Sequence, residues 1–185
     1  ITLGHVQNCI DKEQTFFEDI YSLPPSHYLT YEPAANQLSK ITRYWSINKE
    51  IRIDIAASDA VEKFTELFTG SVKRRLRSDV LLGTSLSGGL DSSSIAFTID
   101  QLQNNNDKEE KISMLQTFSA VFPGFENDES KYIQAVVNGV NINNYQTQPT
   151  ALDLINDFEK LCYHQEEPFQ SSGIFAQYKV FELAK

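Results

Sequence analysis

The sequence is poor in cysteine, in positive charge and in long hydrophobic runs, and each shortage excludes a class of protein. Its 185 residues include two cysteines, Cys9 and Cys162. They lie far apart and form no metal-type pair, so they are interpreted as free thiols of a reducing compartment. Sixteen Lys and Arg against 25 Asp and Glu give a formal net charge of −9. Such an acidic chain is a poor binder of polyanions, which argues against a nucleic-acid partner.

The sequence also lacks the marks of a membrane or secreted protein. No apolar run approaches about 18 residues, and the start has no basic stretch followed by an apolar one. We therefore expect no membrane span, no signal peptide and a cytoplasmic location. Hydrophobic residues still make up 41% of the chain, which is enough for a packed core. The first residue is Ile, so we expect the true start to lie upstream.

Hydrophobic periodicity divides the chain into three parts. Residues 1–47 contain short alternating stretches around a turn, which predict a β-hairpin between His27–Tyr31 and Ile41–Trp45. Residues 48–57 are interpreted as a linker. From residue 58 to residue 185 strands alternate with helices, which predicts an α/β domain with a parallel sheet. Its expected strands are Val80–Leu86, which reads as buried, Ile112–Phe122 and a weak third strand within 141–148.

Apolar residues at spacings of three and four predict the helices of this domain. Asp59 and Glu62 are expected to form a capping box at the start of the first helix, and Asp128 and Thr150 are expected to cap two later helices. The first helix has an apolar stripe of Val61, Phe64, Phe68, Val72 and Leu76. The helix after Asp128 carries Tyr132, Val136 and Val140 at helical spacing.

The stretch Ser87-Gly88-Gly89-Leu90-Asp91-Ser92-Ser93, called the SGG loop below, joins the first predicted strand to a helix. Ligands of open parallel sheets bind at the carboxyl ends of the strands. Glycines let the backbone approach a ligand, successive N–H groups form a concavity for anions, and the helix start adds a positive dipole end. Ser87, Ser92 and Ser93 can donate further hydrogen bonds. The loop is therefore predicted to hold phosphate groups.

Asp91 is the exceptional member of the loop because a carboxylate should repel phosphates. It fits if Mg²⁺ lies between them, since Mg²⁺ is commonly held by one carboxylate and phosphate oxygens. The loop has neither the lysine of a P-loop NTPase nor the glycine spacing of a dinucleotide-binding fold. The alternative is a Ser/Gly-rich turn in which Asp91 caps the helix.

The residues SGGLDSS resemble the pyrophosphate-binding loop of the PP-loop ATP pyrophosphatases. Within that group, the flanking segments resemble the glutamine-dependent asparagine synthetase family. These segments are LPPSHYLTYEPAANQLSKITRYW, with Ser26 where the family usually has glycine, TFSAVFPGFENDESKYIQAV and HQEEPFQSSGIFAQYKVFELAK. The resemblance covers essentially the whole chain.

The resemblance implies an incomplete PP-loop domain over residues 58–185, preceded over residues 1–47 by the end of a glutaminase domain. It implies ATP and Mg²⁺ as cofactors, and aspartate and ammonia from glutamine as substrates. The aspartate carboxylate attacks the α-phosphorus, pyrophosphate leaves, and ammonia converts the β-aspartyl-adenylate to asparagine and AMP. The family's N-terminal cysteine and second acidic loop have no counterpart here. The chain is thus interpreted as a central fragment without assigned catalytic residues, inactive by itself, and a homodimeric parent is compatible with it.

Carried over position by position, the resemblance assigns Mg²⁺ to Asp91 and places Ala120 beside the adenine. Segment His164–Pro168 matches a region near the aspartate site, with solvated carboxylates as the alternative for Glu166 and Glu167. The complete set assigned to ATP and pyrophosphate is Ser85, Ser87, Gly88, Gly89, Leu90, Asp91, Ser92, Ser93 and Ala120.

Two other functions remain open on the sequence. One is a related amide-forming enzyme that uses the same loop on another carboxylate, of the β-lactam synthetase or lasso-peptide cyclase type. The segments RYW and HQEEPF favour asparagine over this alternative. The other is a non-catalytic nucleotide-binding module, against which the intact glycines and Asp91 argue.

Overall fold

The computed structural model describes Asn8 and residues 10–50, 54–105 and 114–185. The chain divides into two compact units. The first unit comprises Ile1–Asp54 and Gln165–Gln170, and the second comprises Ile55–His164 and Ser171–Lys185. Cys9 lies outside the described residues, and Cys162 is an exposed free thiol. Among the helices that the structure describes, none is both long and apolar enough to cross a membrane.

The first unit contains two short antiparallel ladders. Strand β1 (His27–Tyr28) pairs with β4 (Thr42–Arg43), and β2 (Tyr31–Glu32) pairs with β3 (Gln37–Leu38). The hairpin predicted between His27–Tyr31 and Ile41–Trp45 is thus confirmed. None of residues 10–50 is buried, so these ladders contribute no side chain to the core.

The second unit is built on a three-stranded parallel sheet. Its strands are β5 (Gly83–Ser85), β6 (Leu115–Ala120) and β7 (Ile142–Thr147), in the order β5-β6-β7. Parallel neighbours require crossover connections, which contain helix α2 (Leu90–Asn105) and helix α3 (Ser130–Gly139). The predicted α/β class with parallel strands is therefore confirmed.

Helices cover both faces of this sheet. Helix α1 (Ala57–Arg75) packs with α2 and α3 into one core of buried residues: Val72, Leu86, Ala96, Ile99, Leu115, Val121 and Ile133. Helix α5 (Gly173–Ala184) packs against β6 and β7 and buries Phe175 and Val180. Helix α4 (Ala151–Gln165) is joined to α5 by an ion pair of 3.1 Å between Asp157 and Lys179.

The strand expected over Val80–Leu86 is shorter and less buried than the sequence indicated. Only Gly83–Ser85 form β5, which is an edge strand of the described sheet. Val80 and Leu81 are 75% and 79% exposed, whereas Leu86 is 1% exposed. Val80 and Leu81 precede β5 and take no part in its pairing with β6.

The expected capping box of α1 is wrong. The helix begins at Ala57, two residues before Asp59, and its N-cap Ala56 makes no side-chain cap bond. Asp59 instead accepts a hydrogen bond of 3.1 Å from the hydroxyl of Ser58. Capping boxes depend on where the helix starts, and good helix formers such as alanine let α1 start earlier.

The core-facing residues of two helices also differ from the expected sets. In α1, Val72 is buried, but Val61 and Phe64 are 66% and 67% exposed, so only the second half of the stripe enters the core. In α3, Ile133 is fully buried and Tyr132 is 53% exposed. Of the residues that the spacing favoured, Val136 packs against the core together with Val137, whereas Tyr132 is exposed and Val140 lies past the end of the helix.

Candidate phosphate-binding site

The SGG loop begins where the pairing of β5 with β6 ends. The N–H of Leu86 donates a hydrogen bond of 2.9 Å to the carbonyl of Phe118, which extends the ladder one residue past β5. The chain leaves the sheet at Ser87 and enters α2 at Leu90. The loop therefore lies at the carboxyl edge of the parallel sheet, where open α/β sheets bind ligands.

Gly88 shapes the loop and packs against the start of α3. Its φ of +77° lies in the left-handed region that favours glycine. A Cβ atom at this position would lie 2.6 Å from both the backbone nitrogen of Ile133 and the Cβ of Tyr132. Both the conformation and the close approach therefore require glycine here. The contact joins the loop to the first turn of α3.

The loop serines hold one another through long hydrogen bonds. Ser92 Oγ accepts the N–H of Ser87 at 3.3 Å and lies 3.2 Å from Ser87 Oγ. The N–H of Gly89 donates to Ser87 Oγ, also at 3.3 Å. Ordinary bonds of these kinds are closer to 2.8–3.0 Å. These weak internal bonds can be exchanged for stronger ones to a charged ligand.

Two further groups of donors belong to the start of α2. The first backbone N–H groups of a helix have no intrahelical acceptor, and the earliest such bond at α2 runs from Ser93 N–H to Gly89 O at 3.0 Å. The hydroxyl oxygen of Ser93 is buried and has no hydrogen-bond partner within the described part of the chain. Together with the dipole of a 16-residue helix, these donors suit phosphate oxygens.

Asp91 is an exposed carboxylate in the first turn of α2. Across residues 10–50, 54–105 and 114–185, no group of three His, Cys, Asp or Glu side chains is placed to hold a metal ion. One carboxylate among phosphate oxygens and water is a set of ligands that Mg²⁺ accepts. The hard oxygen donors of the loop fit this ion.

Ser85 and Ala120 share the sheet edge with the loop. They are the last residues of β5 and β6, and Ser85 pairs with Phe118, which puts Ser85, Phe118 and Ala120 on one face of the sheet. Ser85 also lines a cleft of about 270 Å³ between β5 and α5, which includes Phe181 but no residue of the SGG loop.

The segment His164–Pro168 is divided between the two units. His164 belongs to the second unit, where its ring stacks on Tyr178 at 6.1 Å, and Gln165–Pro168 belong to the first. Glu166 has a φ of +60°, and both it and Glu167 are exposed, as expected of solvated carboxylates.

Asp128 ties the end of β6 to α3. Its carboxylate accepts the N–H of Ser130, the first residue of α3, at 3.3 Å, but the N-cap of α3 is Glu129 and not the predicted Asp128. It also accepts the N–H of Phe122 at 2.9 Å and the hydroxyl of Ser130 at 2.7 Å. The Phe122 N–H, followed by the Ser130 hydroxyl, lowers the pKa of Asp128. No pattern in the sequence indicated the bond to Phe122.

Sequence reasoning also missed a buried polar group beneath the loop. The hydroxyl of Ser119, in β6, donates a hydrogen bond of 2.6 Å to the carbonyl oxygen of Leu86. Ser119 and Thr117 are 1% and 0% exposed. The available signal was that Thr117 and Ser119, two hydroxyl residues, alternate with Leu115 on one face of β6.

Comparison with known proteins identifies the family of the chain. The asparagine synthase family model matches residues 63–185, which is more than half of the chain. A glutamine-hydrolysing asparagine synthetase of Bacillus subtilis is 32% identical over 142 residues, covering 73% of this chain and 18% of the relative. A second one from that organism is 38% identical over 119 residues, covering 64% of this chain and 17% of the relative.

An amidase of Gibberella zeae is 27% identical over 163 residues, covering 83% of this chain and 24% of the relative. The chain therefore spans no more than about a quarter of the length of these three relatives. The family indicated by SGGLDSS and its flanks is confirmed by the family match and by the two synthetases. The chain belongs to the asparagine synthase family.

Proposed function

We propose that the chain is the ATP-binding part of an enzyme that makes asparagine from aspartate, with ammonia from glutamine. The observation that carries the proposal is the SGG loop at the carboxyl edge of a parallel sheet, with Gly88 packed on α3 and N–H and hydroxyl donors gathered at the start of α2. Family membership and the similarity to glutamine-hydrolysing asparagine synthetases support the reaction.

In this proposal the chain binds and orients the pyrophosphate part of ATP. The backbone N–H groups of the loop and the hydroxyls of Ser87, Ser92 and Ser93 donate to phosphate oxygens, and Asp91 holds Mg²⁺. When bound, Mg²⁺ supplies the positive charge that offsets the charge on the phosphates. Ser85 and Ala120 contact the nucleoside part of ATP with their backbone atoms. No residue of this chain is assigned to the chemical step itself.

The domain assignment is part of the same proposal. Residues 1–47 end a glutaminase domain, residues 48–57 are the linker, and residues 58–185 belong to the synthetase domain. The hairpin in the first unit and the parallel sheet in the second support this order. Because the proposed substrates are those of a biosynthetic enzyme, we place the protein in the cytoplasm. Its proposed assembly is a homodimer.

A related amide-forming enzyme is the second candidate. The amidase of Gibberella zeae matches 83% of this chain, so similar segments occur in proteins that carry other names. The two candidates differ in the carboxylate that they activate. Incubating the full-length protein with ATP, ammonia and either aspartate or other carboxylates separates them. AMP, pyrophosphate and asparagine formed only with aspartate support the first candidate.

Binding of ATP by the 185-residue chain tests the site. We expect Mg²⁺-dependent binding that Asp91→Asn weakens about tenfold or more, because metal electrostatics are worth several kcal/mol. Asp59→Asn is the matched control, since Asp59 is also an exposed carboxylate in the first turn of a helix. Equal affinities of the wild type and Asp91→Asn for ATP, or an affinity that does not depend on Mg²⁺, would contradict the assignment of Mg²⁺ to Asp91.

A further inference from the structure

We infer that Ser119 is a positioning residue for the SGG loop. Its buried hydroxyl fixes the carbonyl of Leu86 and thereby sets the direction in which the chain leaves the sheet. The inference rests on the proposed function, because it concerns the loop to which phosphate binding is assigned there.

The hydrogen bond from Ser119 reaches across the sheet to the residue directly before the loop. Ser119 Oγ lies 2.6 Å from Leu86 O, although the two residues are 33 positions apart in the sequence. The N–H of Leu86 is held as well, by the carbonyl of Phe118 at 2.9 Å. Both polar backbone groups of Leu86 are therefore fixed by β6, and the side chain of Leu86 is buried in the core.

A neighbouring amide determines which way the Ser119 hydroxyl points. Asn144 Nδ2 donates to Ser119 Oγ at 2.9 Å, and Gln146 Nε2 donates to Asn144 Oδ1 at 2.9 Å. A serine hydroxyl has one proton. Because the Ser119 oxygen already accepts from Asn144, its proton is available for the carbonyl of Leu86. The hydrogen-bond network from Gln146 through Asn144 to Ser119 therefore ends on the carbonyl of Leu86, directly before the SGG loop.

Thr117 provides an internal comparison. It lies on the same buried face of β6 and accepts from the same Asn144 Nδ2, at 3.0 Å. Its own proton, however, goes to the carbonyl of Asn143 in β7, at 3.1 Å. Removing either hydroxyl takes one acceptor from the half-buried Asn144, but only the loss of Ser119 Oγ frees the carbonyl of Leu86. A purely structural role would make the two positions equivalent.

Hydrogen exchange of the wild-type chain, Ser119→Ala and Thr117→Val without ligand tests the inference. In Ser119→Ala, amides of residues 87–93 should exchange about three- to tenfold faster, as expected for one lost hydrogen bond, while amides of 96–100 in α2 change less. Thr117→Val should leave residues 87–93 at the wild-type rate. Unchanged loop amides in Ser119→Ala, equal acceleration in both variants, or uniform acceleration across α2 would each overturn the inference.

A second substitution and a second measurement complete the test. If Ser119→Ala does not fold, Ser119→Cys keeps the shape with a weaker donor and should give the same pattern at smaller amplitude; an unchanged loop there also overturns the inference. The affinity for MgATP should be lower in Ser119→Ala than in the wild type and unchanged in Thr117→Val. If the wild-type chain binds no ATP, the proposed function fails, while the exchange rates still decide whether Ser119 positions the loop.

Discussion

At the scale of single residues, the candidate site depends on contacts that one atom would disturb. Gly88 and Gly124 both have positive φ, +77° and +88°. A Cβ on Gly88 would lie 2.6 Å from backbone and side-chain atoms of α3, whereas a Cβ on Gly124 would meet nothing within 4 Å. Comparing substitutions at Gly88 and Gly124 therefore distinguishes the cost of backbone strain from the cost of the steric clash with α3.

We expect Gly88→Ala to lower the free energy of unfolding by about 2–5 kcal/mol, because it combines left-handed strain with overpacking. Gly124→Ala, the control, should cost about 1–2 kcal/mol from strain alone. Urea unfolding of the two variants and the wild type measures both losses. Affinity for ATP should fall in Gly88→Ala only. Equal losses of stability at the two positions would mean that the contact between the loop and α3 is unimportant.

The sequence predicted the residues of the loop but not what holds them. A run such as SGGLDSS is local, so its glycines, hydroxyls and carboxylate could be interpreted without knowing the fold. The contact of Gly88 with α3 and the bond from Ser119 to Leu86 join residues that are distant in the sequence. Such contacts depend on strand register, which no local pattern determines.

At the scale of elements, caps were predicted well where a helix starts at its first favourable residue. Thr150 and Asp153 form a reciprocal box before α4: the Thr150 N–H and hydroxyl donate to Asp153 Oδ2 at 2.8 and 2.6 Å, and the Asp153 N–H donates back at 3.1 Å. The expected cap at Thr150 is therefore confirmed. The box predicted at Asp59 was wrong because α1 starts at Ala57.

The first half of α1 and the N-terminal end of the strand predicted at Val80–Leu86 illustrate a second limit of sequence reasoning. Val61, Val80 and Leu81 belong to regular apolar patterns but are mostly exposed. Periodicity indicates which residues can share a face, and burial then depends on whether another element covers that face. The order and type of the elements were thus predictable, and the extent of the core was not.

We expect Thr150→Ala to destabilise the chain by about 1 kcal/mol near pH 7, the usual cost of losing a Thr cap. The Thr150 hydroxyl is the main cause of the lowered pKa of Asp153. The stabilisation from the bond between this hydroxyl and the ionised carboxylate is therefore present above the ordinary aspartate pKa, about 4. It is lost as the pH falls through the lower pKa that Asp153 has in the folded chain. Unfolding curves between about pH 3 and pH 7 should show the difference between the two proteins narrowing at low pH. Part of it should remain, because the bond from the Asp153 N–H to the Thr150 hydroxyl does not depend on the carboxylate.

Thr65→Ala is the control for that experiment. Its hydroxyl donates to the carbonyl of Val61 at 2.8 Å inside α1, where alanine is the better helix former. This substitution should not destabilise the chain at any of these pH values. A constant difference between wild type and Thr150→Ala down to pH 3 would refute the linkage to Asp153.

At the scale of the whole molecule, the two units differ in how much they bury. In the first unit, residues 10–50 contain no buried side chain, and their strands are two residues long. In the second unit, β6 has Leu115 and Ser119 at 3% and 1% exposure and is paired on both sides. Local stability follows buried contacts and protected backbone hydrogen bonds, so the two units should open with different free energies.

We therefore expect the hydrogen-bonded amides of β1–β4 to exchange at least about tenfold faster than those of β6 in the same intact chain. The internal control is β5, which is paired on one side only and should exchange at a rate between those of β1–β4 and β6. Peptide-resolved exchange followed by mass spectrometry measures all three. The opening of β1–β4 should also respond weakly to urea, because it exposes little new apolar surface. Amides of β1–β4 that exchange as slowly as those of β6 would show that the burial of side chains does not determine which unit opens more easily.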